Sequence, residues 1–497
     1  MAEAVKKYEA VIGLEVHAQL LTRSKMFCSC PSDYIQAAPN TVVCPVCLGM
    51  PGTLPVINSR AVELVIMTGL ALNSEISEAT QFHRKNYPYP DLMKGYQISQ
   101  YDVPIANGGW LDIEAEGVQK RVHITRVHLE EDVAKLQHRQ AVNGEDYSLV
   151  DVNRSGSPLM ETVSEPDMRS PEEARQYLMN LRAILQYLGV STGNMEDGSF
   201  RCDANISIRP VNSSEFFPKV EVKNMNSLRA VYRALQHEEE RQIRVVEEGG
   251  RVAQETRGWV EERGITFSQR AKEYAHDYRY FPEPDLPPLS ISRQWVEEIR
   301  ARLPELPGAR RDRFISMYGL PVYDASQLTA TRATADFFEE CLKAKETQPA
   351  TLAAKSKAVG NWMLGDLAGL LNASGADLAD SKVTPGHLRE FTDLIDAGTI
   401  SGPAAKTVLE EIFKSGKGPQ AIAEEQGLTQ ISDAGQLDGT VADVLDRNEQ
   451  AVQDYMGGKE TALKFLVGQV MKETRGRASP ALVNRMLEEK LASKGGG

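Results

Sequence analysis

Apolar and polar positions alternate between Tyr8 and Gln19. Ile12, Leu14 and Val16 fall on one side, and Gly13, Glu15 and His17 on the other. A period of two marks a strand whose successive side chains face opposite ways. Glu15 and His17 therefore leave one face together, with Gly13 giving room beside them. An acid next to an imidazole suits a hard metal ion or a proton-transfer site. A solvated strand face would read the same way. Three later segments repeat the alternation. In HITRVHLEED, Arg126, His128, Glu130 and Asp132 oppose Thr125, Val127 and Leu129. In FRCDANISI, Arg201, Asp203, Asn205 and Ser207 oppose Phe200, Cys202, Ala204, Ile206 and Ile208. In KVEVKN, Lys219, Glu221 and Lys223 oppose Val220 and Val222. Acids thus recur on one face with bases, imidazoles or amides. If these strands lie beside the first, Glu15, His17, Glu130, Asp203 and Glu221 converge. Their mutual repulsion calls for a divalent cation, which leaves nearby lysines and arginines to hold phosphate oxygens.

The helical period appears elsewhere. From Ser59 to Leu72, Ala61, Leu64, Val65, Thr68 and Leu72 line one side. A second helix is bounded by Ser170 as N-cap, Pro171, Glu173 completing a capping box, and Gly189 at its end. Its stripe runs from Ala174 through Leu188 and carries no chemistry. After about Leu289 strand signals vanish, and 291–303, 330–342 and 352–371 are helical by period. From Pro385 short amphipathic helices are broken at Gly398, Gly416, Gly427, Gly439 and Gly457. The proline-rich run DYRYFPEPDLPP, beginning at Asp277, marks a domain edge. The pattern predicts an α+β domain on an antiparallel sheet over 1–290, then helical segments over 291–384 and 385–497.

Cys28, Cys30, Cys44 and Cys47 form C-x-C followed by C-P-V-C. Two close thiol pairs joined by a short loop fit a closed four-cysteine zinc site, a structural staple. Two disulfides or four unrelated buried thiols are the alternatives, and the absence of a secretory signal weighs against the disulfides. The segment HRKNYPYPDLMKGYQISQYD, 83–102, is dense in Tyr and cationic side chains, and its prolines keep it out of a helix. There Arg84, Lys85 and Lys94 could hold phosphates, and Tyr87, Tyr89, Tyr96 and Gln97 could line a base. A tyrosine-rich surface loop is the plainer reading.

Composition adds bounds. The chain has 497 residues, 25% charged and 41% hydrophobic, enough for several cores. No run reaches the length of a membrane span, so a reducing, cytoplasmic setting without a membrane is expected. Net charge is −13, which argues against a body coated for nucleic acid. Yet from Lys459 onward eight basic residues face four acidic ones, compatible with a phosphate contact at that end. No Walker loop, dinucleotide fingerprint, zinc-protease motif or serine elbow occurs.

The motifs GLEVHAQL, CSC…CPVC, HRKNYPYPD, KGYQISQ, RVHLEED, VDVNRSGSPLMETVSEPD, RCDANISIRP, VEVKNMNS and DYRYFPEPDLPP, in this order, resemble the B subunits of the aspartyl/glutamyl-tRNA amidotransferases, members of the heterotrimer GatCAB. The likeness spans essentially the whole chain. It implies a kinase-like cradle domain, a helical domain and a small tail domain that grips tRNA. It further implies ATP, Mg2+ and structural Zn2+. The implied partners are the amidase (GatA) and small (GatC) members of the heterotrimer and a misacylated tRNA(Gln) or tRNA(Asn), and a non-discriminating synthetase is allowed. By that resemblance Glu15, His17 and Glu130 hold Mg2+, with Glu221 and Asp203 close behind as further catalytic groups. Arg84 and Lys85 hold nucleotide phosphates, Tyr87 or Tyr89 sits near the nucleotide or terminal adenosine, and Asp197 and Arg201 complete the pocket. The zinc ligands are Cys28, Cys30, Cys44 and Cys47. Lys459, Lys464, Lys472, Arg475 and Arg477 contact tRNA. A non-catalytic tRNA scaffold and a metal-dependent phosphohydrolase are the competing classes.

Overall fold

The computed structural model describes residues 7–213, 215, 217–271, 278–343, 349–430, 434–474 and 477–495; Asp277 and Arg475 lie outside them. The chain divides into two compact units, 1–306 and 307–497.

The first unit is built on a ten-stranded sheet among the described residues. The strand Tyr8–Gln19 lies at its middle, between Phe200–Pro210 and Pro158–Ser164. Val118–Glu131 follows Pro158–Ser164 on one side, and Val220–Lys223 follows Phe200–Pro210 on the other. The strands pair antiparallel, as expected, except where Val220–Lys223 runs parallel to Glu255–Val260. Phe200–Pro210 keeps the first strand's alternation in phase, whereas Pro158–Ser164 sets Thr162 opposite Val16 and Val163 opposite Glu15. Ile12, Leu14, Val16, Ala204 and Ile206 are all buried on one face, and the polar residues fall on the opposite one.

The apolar face is covered by helices Pro171–Tyr187 and Leu228–Glu247, and Ser59–Ala71 joins the same core. Asn58 caps Ser59–Ala71 by accepting from the amides of Arg60 and Ala61, and Ala61, Leu64, Val65, Thr68 and Leu72 are completely buried. Ser170 caps the second helix by accepting from the Glu173 amide. The capping box is modified, however. The Glu173 carboxylate takes the Arg169 amide, one residue before the cap, and also pairs with Lys120. Ile291 and Ile299 belong to this core, which is why the first unit extends past the proline-rich run.

The second unit is helical throughout the described residues. One core runs from Phe314 to Ala423, with Val383 and Leu388 on either side of residue 384, and another runs from Leu437 to Leu491. Gly398, Gly416 and Gly427 have positive φ at helix ends, but Gly439 does not break a helix. It lies inside Ala434–Arg447, whose Leu437, Val441 and Val444 carry the buried stripe across it. The expected helix over 352–371 contains a π-helical turn at Met363–Leu367. No described helix is long and apolar enough to cross a membrane.

Candidate functional site

The four cysteines come together on the loop after the first strand. Cys47 Sγ lies 3.6 Å from Cys28 Sγ, 3.7 Å from Cys44 Sγ and 3.8 Å from Cys30 Sγ. All four are free thiols. Tetrahedral zinc bound at about 2.3 Å places its sulfurs about 3.8 Å apart, so the cluster fits a metal such as zinc. Lys25, completely buried, approaches Cys47 Sγ at 3.5 Å and donates to the Val42 and Ser155 carbonyls. The Cys28 thiol's hydrogen bond, aided by Lys25, holds the Cys47 thiol well below its ordinary value.

The second assembly occupies the polar face of the sheet. Paired residues on neighbouring strands point the same way, so register alone builds three rows. His128, Glu161, His17 and Arg201 stand opposite one another across four strands. Glu15 faces Asp203. Gly13, Asn205, Glu221 and Thr256 form the third row. A Cβ at Gly13 would rest 3.5 Å from Pro166, an ordinary contact, so that position is not held open for a ligand. Segments outside these rows close the walls with Lys85, Tyr87, Tyr278 and Tyr280, giving a cleft of about 470 Å³.

Within it, His17 Nε2 lies 3.6 Å from Glu130 and 3.7 Å from Glu161, and His128 Nε2 lies 3.1 Å from Glu161. The donor atoms of His17, Glu130 and Glu161 are all within 4.8 Å of one another. Two carboxylates with one imidazole form a set that accepts a divalent cation. Asn205 donates to Glu15 (2.9 Å), Thr256 donates to Glu221 (2.8 Å), and Lys223 bridges Asp203 and Glu221. Burial, together with the charges of Glu161, Asp203 and Glu221, raises the Glu15 carboxyl above its ordinary value. Burial works against the Glu161 carboxylate, but His128 and then His17 outweigh it and hold it well below the usual range. Burial also opposes the Lys85 ammonium, yet the negative groups around it, Glu130 and Glu161 among them, raise it above its ordinary value. The Lys85 Nζ sits 4.8 Å over the Tyr278 ring, and Tyr280 stacks on Tyr101 at 4.2 Å. The cleft therefore offers an acidic floor, cationic side chains and an aromatic wall.

Of the residues singled out from sequence, Glu15, His17, Lys85, Tyr87, Gln97, Glu130, Arg201, Asp203 and Glu221 are among those that line this cleft. Arg84, Tyr89, Asp197 and Lys94 do not. Arg84 follows the alternation of strand His83–Asn86 and turns away from Lys85. It makes a two-pronged pair with buried Glu283 (2.7 and 2.8 Å) and lies 4.3 Å over Tyr96. Lys94 pairs with Glu131. Tyr89 is exposed. Asp197 is spent on the amide and hydroxyl of Ser199. In the tail, Lys459 pairs with Asp454; Lys464, Lys472 and Arg477 are exposed and make no ion pair among the described residues. Sequence reasoning assigned no role to Glu161, Tyr278 or Tyr280, and to His128 only a place on a polar strand face; all four line the cleft, as does Lys223.

The class this defines is a sheet-floored cleft that gathers carboxylates, imidazoles and fixed cations for a charged ligand, beside a separate cysteine staple. Comparison with known proteins gives the family. A family described as the GatB/GatE catalytic domain matches residues 10–297, and one described as the GatB domain matches 336–491. The chain belongs to the GatB family. It is 57% identical over 487 residues to a Dehalococcoides mccartyi protein named as the B subunit of the aspartyl/glutamyl-tRNA(Asn/Gln) amidotransferase, covering 98% of this chain and 99% of that one. Proteins of the same name from Carboxydothermus hydrogenoformans and Thermomicrobium roseum are 55% and 54% identical, over 98% of this chain and 100% and 99% of theirs.

Proposed function

We propose that the chain is the B subunit of a glutamine-dependent amidotransferase, converting Glu-tRNA(Gln), Asp-tRNA(Asn) or both to the amides. In this reading it works in the cytoplasm with a glutaminase, GatA, and a small third protein, GatC. The observation that carries the proposal is the cleft, with Glu15, His17, Glu130 and Glu161 on its floor and Lys85, Arg201 and Lys223 among them, in a chain whose relatives bear that name.

A free carboxylate is a poor electrophile because neither oxygen can leave. Transfer of the ATP γ-phosphoryl to it gives an acyl phosphate and ADP, and ammonia then displaces phosphate. Phosphoryl transfer demands positioning and charge neutralisation more than covalent chemistry. Lys85 and Arg201 hold phosphate oxygens, and Tyr87, Tyr278 and Tyr280 offer a face for the nucleotide or the terminal adenosine. Glu15, His17, Glu130 and Glu161, with Asp203 and Glu221, would hold Mg2+. That cation, when bound, supplies charge neutralisation on the transferring phosphoryl group. Cys28, Cys30, Cys44 and Cys47 would hold zinc, a closed site that supports the fold without taking part in the reaction.

The second unit would contact the tRNA body. Lys464 and Lys472 in the helix Thr461–Glu473 and Arg477 shortly after it are exposed cations there, and such contacts read shape and phosphate more than sequence. The helical domain expected over 291–384 would instead span about 307–423, because Ile291 and Ile299 pack in the first core and a single core runs from Phe314 to Ala423, and a synthetase could join the assembly.

The deciding experiment is ATP hydrolysis by the chain co-expressed with GatA and GatC, with and without Glu-tRNA(Gln), in wild type and Glu15→Gln. Stimulation by the misacylated tRNA that disappears in the variant supports the reading. Hydrolysis indifferent to the tRNA overturns it in favour of a phosphohydrolase. Stimulation that survives Glu15→Gln reduces the chain to a tRNA clamp.

A further inference from the structure

Two polar paths leave the cysteine loop, one through hydrogen bonds and one closed by an ion pair, and both end on one buried carboxylate. On the first, Tyr34, in the loop between Cys30 and Cys44, meets the Gln19 side chain at 2.9 Å, and Gln19 Nε2 donates to Asp132 Oδ2 at 2.8 Å. On the second, the loop grips the turn Val152–Arg154. Asn153 accepts from the Val42 amide (2.8 Å) and donates to the Ala38 carbonyl (2.7 Å), while the Val152 amide donates to Asn40 (2.8 Å). Arg154 leaves that turn to donate to the Val133 and Ala134 carbonyls and lies 3.5 Å from Asp132 Oδ1. Asp132 itself is 3% exposed. Both of its oxygens accept from Arg201, Nη1 at 3.1 Å and Nη2 at 3.2 Å, and Arg201 lines the cleft beside His17.

A planar guanidinium held by two parallel bonds has its orientation fixed. Arg201 is the opposite neighbour of His17 in the sheet. A rotation of its side chain would therefore change what stands next to the acidic floor. The carboxylate that sets its orientation is in turn positioned by contacts from the cysteine loop.

We propose that Asp132 is a positioning residue that makes phosphate binding by Arg201 depend on the folded cysteine loop, with Tyr34 and Gln19 as the link. This rests on the reading of Arg201 as a phosphate-holding residue.

The test uses the intact chain in its complex with GatA and GatC and titrates Mg-ADP by calorimetry, alongside ATP steady-state kinetics. The variants are Tyr34→Phe, Arg201→Ala, the double variant and Asp132→Asn. Tyr34→Phe removes one hydroxyl outside the cleft. It should weaken ADP binding and raise the ATP KM about fivefold with kcat within about twofold. Asp132→Asn should raise KM about thirtyfold. In the Arg201→Ala background, Tyr34→Phe should add nothing, because the group it acts through is gone. Additive effects, or an unchanged ADP affinity in Tyr34→Phe, would overturn the coupling alone. An Arg201→Ala variant with wild-type ADP affinity would overturn the phosphate reading on which the coupling stands.

Discussion

The cysteine loop and the acidic cleft are two ligand-rich sites in one unit, and they are finished to different degrees. Cys47 Sγ already stands from the other three sulfurs at the spacing a tetrahedral zinc imposes, and all four lie within 4.8 Å of one another. One of them, Cys47, is pulled below its ordinary pKa by Cys28 and Lys25. Four thiolates would close a zinc's shell and leave no open position for a substrate. The cleft is the reverse. Its carboxylates are partnered one by one with His17, His128, Lys223, Asn205 and Thr256, yet Glu15 is left with more negative neighbours than positive ones. A closed set stabilises a fold, whereas an unbalanced, solvent-open set keeps capacity for a cation and a phosphorylated ligand. The difference lies in charge balance and access, not in the number of donors.

Removing a ligand from each site should separate them. Cys47→Ser should abolish the zinc content, about one atom per chain in the wild type, and lower Tm by roughly 10 °C. Metal analysis and thermal unfolding read both, and full zinc occupancy in the variant would break the assignment. Glu15→Gln should behave oppositely, keeping the zinc and the fold while tRNA-stimulated ATP turnover falls about 10²-fold or more. A variant with near-normal turnover would move the chemistry away from Glu15.

A third substitution tests the edge of the cleft. Arg84 is a cation next in sequence to Lys85, but it serves Glu283, whose side chain is 1% exposed. Arg84→Ala should destabilise the first unit by about 3 kcal/mol through the unpaired buried acid and leave the ATP KM within about twofold. Lys85→Ala should do the converse, raising KM with little loss of stability. A large KM effect in Arg84→Ala would place that guanidinium at the ligand after all.

The same pair shows what the sequence could and could not tell. Period two in Tyr8–Gln19 and in the strands around Arg126, Arg201 and Glu221 put the right polar faces forward, and the pairing of Glu15 with Asp203 and of His17 with Arg201 followed. The same rule separates Arg84 from Lys85, because neighbours on a strand cannot face one cleft; applied there, it would have excluded Arg84. Glu161 was harder to find. In Pro158–Ser164 it is a lone acid among apolar and hydroxyl side chains, and only the long-range register with His17 and His128 reveals it. Tyr278 and Tyr280 reach the cleft from a segment remote in sequence, where Phe281 and Pro282 pair with Arg84 and His83. Gly439 has a general cause: a glycine signals a break only when the apolar stripe stops with it.

The smallest effect is the most informative about the imbalance at Glu15. Burial and the charges of Glu161, Asp203 and Glu221 raise its folded pKa above the ordinary 4.5. The folded chain thus binds that proton more tightly than the unfolded chain does. Stability therefore falls as pH rises from 4.5 through the folded pKa, and the loss is complete above it. Glutamine cannot ionise and escapes this. In the presence of EDTA, Glu15→Gln should be more stable than wild type by about 1 kcal/mol at neutral pH. The gap should vanish near pH 4 and should shrink when Mg2+ is added, since a bound cation removes the repulsion the wild type suffers. Urea unfolding at pH 4, 6 and 8 measures it. A variant less stable than wild type at pH 8 would mean that the Asn205 contact outweighs the crowding of charges, and the cleft would then be as balanced as the cysteine loop.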